Sequence, residues 1–311
     1  MPPTHTGHER RARLSKNSLL LSYLKKTFAS LAVILIFIVG MISAWATMLS
    51  TPSIDNFQSR KVAESTKIYD RTGNVLLYDV HGTMRRTAVP LEEISPNLRN
   101  AAVAIEDAEF YQHYGFRPLS FLRALTVDIL SMKFVQGGST ITQQVVKNAL
   151  LTQDKTIIRK IKEIALAIKL ERQYSKDQIL ATYLNETSYG GTIYGVEEAS
   201  QYFFGISAKD VSLAQAAYMA ALPQAPTRYS PYGNHRDELE KRKNLVLLKM
   251  EENGFISHDE YEKARLEKVQ FKDATTAGIK SPHFVFYVRE YLEEKYGADT
   301  IEGAGLQVTT T

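Results

Sequence analysis

Two glycines, several hydroxyl and amide side chains and a lysine lie in one short run, Gly137-Gly138-Ser139-Thr140-Ile141-Thr142-Gln143-Gln144-Val145-Val146-Lys147-Asn148. Glycine backbone can approach a ligand closely, and Ser139 or Thr140 can cap a following helix. The free N–H groups at such a helix start attract anions. The helix would also carry two glutamines and a lysine near one face. This pattern suits a ligand with sugar and phosphate groups, although a capped helix after a flexible turn would have the same pattern.

The composition excludes several classes of protein. The chain has 311 residues, of which 44% are hydrophobic, so it can bury a sizeable core. Residues 1–27 contain six basic side chains and one acidic side chain, which leaves 38 − 6 = 32 basic and 34 − 1 = 33 acidic residues elsewhere. The positive excess therefore lies in the tail, which argues against a nucleic-acid-binding body. The absence of cysteine excludes a thiol nucleophile and a Cys-ligated metal.

An uncharged apolar segment follows the basic tail. Residues 28–49 would form a helix of roughly 33 Å, which is enough to cross a bilayer. The preceding basic residues predict a cytoplasmic N-terminus for this single-pass anchor in the cell membrane. The alternative is a cleaved signal peptide, since Ala44-Trp45-Ala46 matches a small-x-small cleavage pattern. Either interpretation places the body outside the cytoplasm.

The rest of the chain divides into three regions. Residues 50–95 read as a spacer and a β-hairpin with Gly73-Asn74 at its turn. A helical domain over 96–235 and a helical linker over 236–311 follow, and the abrupt end of the β-prone Leu306–Thr311 indicates a chain cut from a longer protein. The predicted helices are Leu98–Tyr114, Ile157–Arg172, Gln178–Asn185, Gly195–Phe204, Val211–Leu222, Asn244–Asn253, Asp259–Leu266 and Phe284–Tyr296.

Two charged clusters are candidates for chemistry. Glu106, Phe110 and His113 are spaced to share one face of the predicted helix, and a carboxylate beside an aromatic ring can be a desolvated base. Surface solvation and a structural histidine are the plainer interpretation. In the second cluster Arg159 and Glu163 form an i, i+4 pair and Lys160 is predicted to point elsewhere. That cluster is either a solvated face or a cationic cradle for a diphosphate.

Five ordered motifs over residues 96–232 resemble those of the peptidoglycan glycosyltransferases, the polymerase module of class A penicillin-binding proteins. The order and spacing of five motifs make this resemblance specific. The matching pieces are Glu106-Asp107-x-x-Phe110-x-x-His113-x-Gly115, Gly137–Asn148, Arg159-Lys160-x-Lys162-Glu163, Lys176-x-x-Ile179-Leu180-x-x-Tyr183-Leu184-Asn185 with Tyr189-Gly190, and Leu222-Pro223-Gln224-Ala225-Pro226 with Tyr229-Ser230-Pro231.

The resemblance implies a mainly α, lysozyme-like glycosyltransferase domain over 96–235 with a membrane-associated jaw. The jaw would be the apolar stretch 116–135, for which a core helix and a lobe in the outer leaflet are equally good interpretations. The domain would follow one transmembrane helix and be flanked by short β segments. The family polymerises lipid II into β-1,4-linked glycan with inversion and release of polyprenyl diphosphate. The implied partners are lipid II, the lipid-linked strand, membrane lipids and other cell-wall synthesis proteins, with no nucleic acid.

The family's residue roles carry over position by position. Glu106 would be the general base, and Glu163 would lie by the diphosphate, either orienting Lys and Arg side chains or binding a divalent cation such as Mg²⁺ or Mn²⁺; no organic cofactor is implied. The predicted diphosphate contacts are Arg123, Lys147, Lys155, Arg159 and Lys162. The predicted sugar and phosphate path is Ser139, Thr140, Gln143 and Gln144. The predicted supporting residues are Asp107, Phe110, His113 and Asn185.

The match is imperfect in places. Ala181 stands where the fourth motif often has Glu, and Ser120 stands where Gly is common. Residues 236–311 resemble a linker toward a transpeptidase whose ordered serine motifs are absent from this chain. Two alternatives stay open. One is a glycan-cleaving enzyme on a lysozyme-like fold, which would not need the cations, and the other is a non-catalytic membrane-anchored scaffold.

Overall fold

The computed structural model describes residues 66–79, 85–121, 123, 138–150, 156–191, 193–273, 281–297, 300–301 and 306–310, with parts of 25–49. The chain forms two compact units, residues 1–50 and 51–311. The first unit is helical at 25–30 and at every described position up to 48. Among the described residues, no helix has both the length and the hydropathy to cross a membrane. The anchor over 28–49 therefore stays a prediction.

The second unit is mainly α-helical, as predicted. Its described part contains the helices α1 (Pro96–Glu106), α2 (Ile141–Leu150), α3 (Ile157–Gln173), α4 (Lys176–Glu186), α5 (Val196–Phe203), α6 (Leu213–Ala221), α7 (Arg236–Glu252), α8 (His258–Leu266) and α9 (Pro282–Tyr296). Its short strands are β1 (Lys67–Tyr69), β2 (Leu76–Asp79), β3 (Arg85–Arg86), β4 (Ile193–Tyr194) and β5 (Gln307–Thr309).

Local sequence signals explain where several helices begin. Ser175, Ser212 and Ser257 each accept a hydrogen bond from the N–H three residues later, and a Gln or Glu side chain at that position bonds back to the serine N–H. These capping boxes satisfy backbone donors that would otherwise lack partners. The predicted cap at Ser257 is confirmed.

The core consists of two helix groups. The alanine-rich helix α6 is almost fully buried and packs against α1 and α7, where small side chains allow a close approach. Helix α2 packs against α3 and α4. Lys243 on α7 is also fully buried, and its ammonium pairs with Glu240 and donates to the carbonyl oxygen of Arg265. Its buried charge is thus compensated by two partners.

Two small sheets bring distant segments together. The hairpin β1–β2 is antiparallel, and Gly73 supplies the positive φ of +72° at its turn. The strand β5 pairs in parallel with β1, so the three-stranded order is β2-β1-β5. The strand β3 pairs in parallel with β4. The hairpin and the β-prone C-terminal segment are confirmed, but their pairing was not predicted.

Two predicted helix boundaries were wrong. The helix predicted over Leu98–Tyr114 ends at Glu106, because Asp107 has a non-helical backbone (φ −159°, ψ 73°) and its carboxylate is bonded elsewhere. Only one 3₁₀ turn, Phe110–Gln112, follows, so Glu106, Phe110 and His113 do not share a helical face. Helix α7 begins at Arg236, eight residues before the predicted start.

The jaw predicted over 116–135 lies mostly outside the described residues. Residues 118–121 and 123 are helical, while 122 and 124–137 are not described. The boundaries predicted for the other helices agree with the structure to within a few residues. The structure therefore confirms the helical body and leaves the jaw as a prediction.

Candidate active site

Glu106 is the last residue of α1 and is only partly buried. The Gln144 side chain on α2 donates a hydrogen bond of 2.7 Å to its Oε2. Burial raises the pKa of Glu106 above its ordinary value. The Gln144 hydrogen bond and the Arg242 charge lower this pKa, and the nearby Asp107 charge raises it slightly. A carboxylate whose pKa is raised in this way is a stronger proton acceptor than a solvated one.

Two buried tyrosines on the fourth-motif side also interact with Glu106. Burial, reinforced by the negative charge of Glu106, raises the pKa of Tyr183 and Tyr189 well above the ordinary value of tyrosine. Both phenols are therefore neutral over the physiological range. The charge of Glu106 is therefore close enough to both buried phenols to raise their pKa.

Asp107 and His113 fix the loop that follows α1. The buried Asp107 Oδ2 accepts the Ile141 N–H at 3.1 Å and lies 2.8 Å from His113 Nε2. The Gly115 N–H donates to His113 Nδ1, so the proton on the neutral ring is on Nε2 and is donated to Asp107. This chain of bonds joins the end of α1 to the start of α2. The predicted supporting role of Asp107 and His113 has a direct structural basis here.

Phe110 and Asn185 also have structural contacts. The fully buried Phe110 ring has the Lys176 ammonium 4.4 Å from its centroid. The Asn185 side chain exchanges two hydrogen bonds with the backbone of Val89, at 3.0 and 2.9 Å, and donates another to the carbonyl oxygen of Ala181. Asn185 thereby fastens the segment before α1 to α4.

The start of α2 is built by side chains predicted to touch substrate. The Thr140 hydroxyl donates to the Gly115 carbonyl and accepts the Gln143 N–H, while Gln143 Oε1 accepts the Thr140 N–H. Both side chains are almost fully buried. They hold the turn that presents Gln144 to Glu106, and their direct contact with a sugar or phosphate stays a prediction.

The second carboxylate, Glu163, lies in a cluster of cations on α3. It is 2% exposed, its Oε1 pairs with Lys160, and its Oε2 lies 4.0 Å from Arg159 Nη1. The Lys160 ammonium also donates to Ser139 Oγ at 2.6 Å. The prediction that Lys160 points elsewhere was wrong, because a long side chain at i−3 reaches the same carboxylate.

Both carboxylates are joined to one short stretch of chain. Gln144 bonds Glu106, and Ser139, five residues earlier, bonds the lysine that pairs with Glu163. Residues 139–144 thus contact both the Glu106 carboxylate and the cations around Glu163. A carboxylate and a group of cations joined in this way would suit a step that removes a proton and releases an anion.

The other predicted cations are placed differently. Lys147 is exposed and Lys162 is partly buried, and neither has a side-chain hydrogen bond or ion pair within the described part of the chain. Arg123 is exposed. Lys155 lies outside the described residues. Lys147 and Lys162 are therefore available to an anionic ligand.

The surroundings of Glu163 do not fit a divalent cation. Its oxygens face Lys160 and Arg159, whose positive charges oppose a metal ion. Over the described ranges, no group of three His, Asp or Glu side chains has the geometry of a metal site. The cation predicted from the family stays untested, and no reaction step is derived through it.

Sequence reasoning missed three contributors to this site. Lys160 was visible as a lysine three residues before Glu163, which is a helical contact distance. Glu171 accepts bonds from Thr142 and Lys176 and lies near His113, but its position in the sequence gives no sign of this. Arg242 lies on α7, beyond the predicted domain end at 235. Helix α7 packs against α1, and the Arg242 charge lowers the pKa of Glu106.

Comparison with known proteins identifies the family of the chain. The family model described as Transglycosylase matches residues 74–251. Penicillin-binding protein 1A of Aquifex aeolicus (strain VF5) is 37% identical over 293 residues, covering 92% of this chain and 39% of that protein. Penicillin-binding protein 1A/1B of Bacillus subtilis (strain 168) is 39% identical over 299 residues, covering 92% and 32%. A crystal structure of Penicillin-Binding Protein 1A from Haemophilus influenzae has a TM-score of 0.40 and 22% identity, over 81% of this chain and 27% of that chain.

The chain therefore belongs to the transglycosylase family. Within it, the chain corresponds to the transglycosylase module of class A penicillin-binding proteins, as the motifs predicted. It spans about two fifths or less of the length of the relatives named above.

Proposed function

We propose that this chain is a membrane-anchored glycosyltransferase that polymerises lipid II into β-1,4-linked glycan strands for bacterial cell wall synthesis. Membership of the transglycosylase family supports the class of reaction. The observation that carries the residue assignment is the partly buried Glu106, bonded to Gln144 on the same short stretch that contacts the Glu163 cluster.

In the proposed reaction, unprotonated Glu106 accepts the proton of the acceptor's sugar 4-hydroxyl. The freed oxygen attacks the anomeric carbon of the lipid-linked donor and forms the new glycosidic bond with inversion. The bond from that carbon to the diphosphate oxygen breaks, and polyprenyl diphosphate leaves with the electron pair. A base on the face opposite the leaving group is the arrangement that inversion needs.

The departing diphosphate gains negative charge as its bond breaks, so cations held nearby lower the barrier. Lys160 and Arg159 are fixed in place by Glu163, and Lys147 and Lys162 supply further positive charge. Glu163 would orient these cations without itself reacting. Preorganised charge of this kind is effective because it needs no rearrangement during the reaction.

A gel assay of lipid II polymerisation by the full chain in detergent tests the function, with and without a metal chelator. The proposal predicts a ladder of glycan products that a muramidase digests. Release of soluble fragments from purified cell wall, without such a ladder, would favour a glycan-cleaving enzyme. Binding of lipid II without any turnover would favour the scaffold. Either of these results would overturn the proposal.

A further inference from the structure

A groove of about 210 Å³ lies between the loop after α1 and the junction of α3 with α4. Tyr111 and Tyr114 of the loop and Tyr174 and Lys176 of the junction form part of its wall. Of the residues predicted to serve the active site, only His113 lines it. The proposed reaction therefore assigns no ligand to this groove.

A buried carboxylate forms part of the groove lining. The Glu171 side chain is 3% exposed, and its Oε1 accepts hydrogen bonds from Thr142 and, at 2.8 Å, from Lys176. Its Oε2 is buried and has no hydrogen-bond partner among the described residues. Because a buried oxygen without a donor is destabilising, a small shift of this side chain toward a hydroxyl in the groove would be favourable.

The charges around the groove favour an uncharged ligand. Lys176 pairs with Glu171, and the neutral His113 ring donates its proton to Asp107. Asp177 accepts a hydrogen bond from the Tyr111 hydroxyl nearby. These charges are of both signs and already have partners within the protein, so they offer neither a cation nor an anion a site of uniformly opposite charge. The groove can still offer donors and acceptors to neutral hydroxyl groups.

The aromatic side chains favour a ligand with flat apolar faces. Tyr111 and Tyr114 are 54% and 82% exposed, so two aromatic side chains beside the groove are open to a ligand. A pyranose ring has apolar faces and a rim of hydroxyl groups, and the groove volume suits one such ring. We propose that this groove binds one uncharged sugar unit of a glycan. The link to a growing strand rests on the proposed function, but the sugar-binding itself does not.

Calorimetric titration with chitotetraose, a soluble β-1,4-linked tetramer of N-acetylglucosamine, tests the proposal on the full chain in detergent. Tyr114→Ala should weaken binding about fivefold, because one aromatic contact is lost. Tyr291→Ala is the control, since it removes an exposed tyrosine on α9, away from the residues that line the groove, and should leave affinity within twofold. Thermal unfolding of both variants checks that the fold is intact.

Glu106→Gln separates this proposal from the proposed function, because Glu106 does not line the groove. The variant should bind chitotetraose as tightly as the unaltered chain, whether or not the chain polymerises lipid II. Unchanged affinity in Tyr114→Ala, or no binding at millimolar chitotetraose, would overturn the sugar assignment. Choline or inorganic phosphate that binds in a Tyr114-dependent manner, in place of the sugar, would also overturn it.

Discussion

At the scale of single residues, the proposed chemistry depends on opposing influences on the pKa of one carboxyl group, that of Glu106. Burial raises the pKa of Glu106, while the Gln144 hydrogen bond and the Arg242 charge lower it. A general base must be basic enough to take a proton and yet unprotonated at the working pH. Burial makes the Glu106 carboxylate more basic, and the Gln144 hydrogen bond and the Arg242 charge favour its unprotonated form.

Arg242→Gln should change the pH dependence of the reaction. Loss of the guanidinium charge raises the pKa of Glu106 further, so more of the base is protonated at mildly acidic pH. The acid limb of kcat/KM against pH should therefore move to higher pH, with a several-fold loss of rate on that limb and recovery at alkaline pH.

Arg242→Lys is the control for that experiment, since it keeps the positive charge and should keep the limb near its original position. A merely structural role for Arg242 would lower the rate equally at every pH. That uniform loss, with no movement of the limb, would show that Arg242 does not tune Glu106.

At the scale of elements, the site depends on how closely the loop after α1 approaches α3. Gly115 has φ +80°, and a Cβ atom added there would lie 2.7 Å from the carbonyl oxygen of Ala167. The same glycine donates to His113 and accepts from Thr140, so its position connects α1, α2 and α3. Only a residue without a side chain allows this approach.

Gly115→Ala should lower the free energy of unfolding by about 2 kcal/mol or more, because it adds backbone strain and a backbone clash. Urea unfolding measures the change. Gly73→Ala is the matched control, since Gly73 has a similar φ of +72° but nothing within 4 Å of an added Cβ. Equal losses for both variants would mean that the close approach to Ala167 contributes nothing.

Helix positions were largely predictable at this scale because their signals are local. Capping serines, apolar periodicity and terminal glycines all act within a few residues of a helix end. One of the two exceptions, the end of α1 at Glu106, has a non-local cause. The Asp107 carboxylate bonds Ile141, 34 residues away, and that competing bond could not be foreseen from spacing.

At the scale of the whole molecule, the motifs predicted the class of protein better than they predicted how the candidate site residues meet. The five motifs identified Glu106 and Glu163, and the family match confirms the class of protein. The motifs did not predict the long-range contacts of the site and the sheet. Examples are the bond between Glu106 and Gln144, the Arg242 charge from α7 and the pairing of β1 with β5. Such contacts follow from packing of the whole chain, which no local pattern specifies.

The account rests most heavily on Glu106 as the base in a reaction that releases diphosphate. The most direct test compares Glu106→Gln with the unaltered chain for both lipid II turnover and lipid II affinity. We expect turnover to fall by about a hundredfold or more, with affinity within about twofold, because an amide keeps the shape but cannot accept the proton. Turnover within a few-fold of the unaltered chain would contradict the central claim.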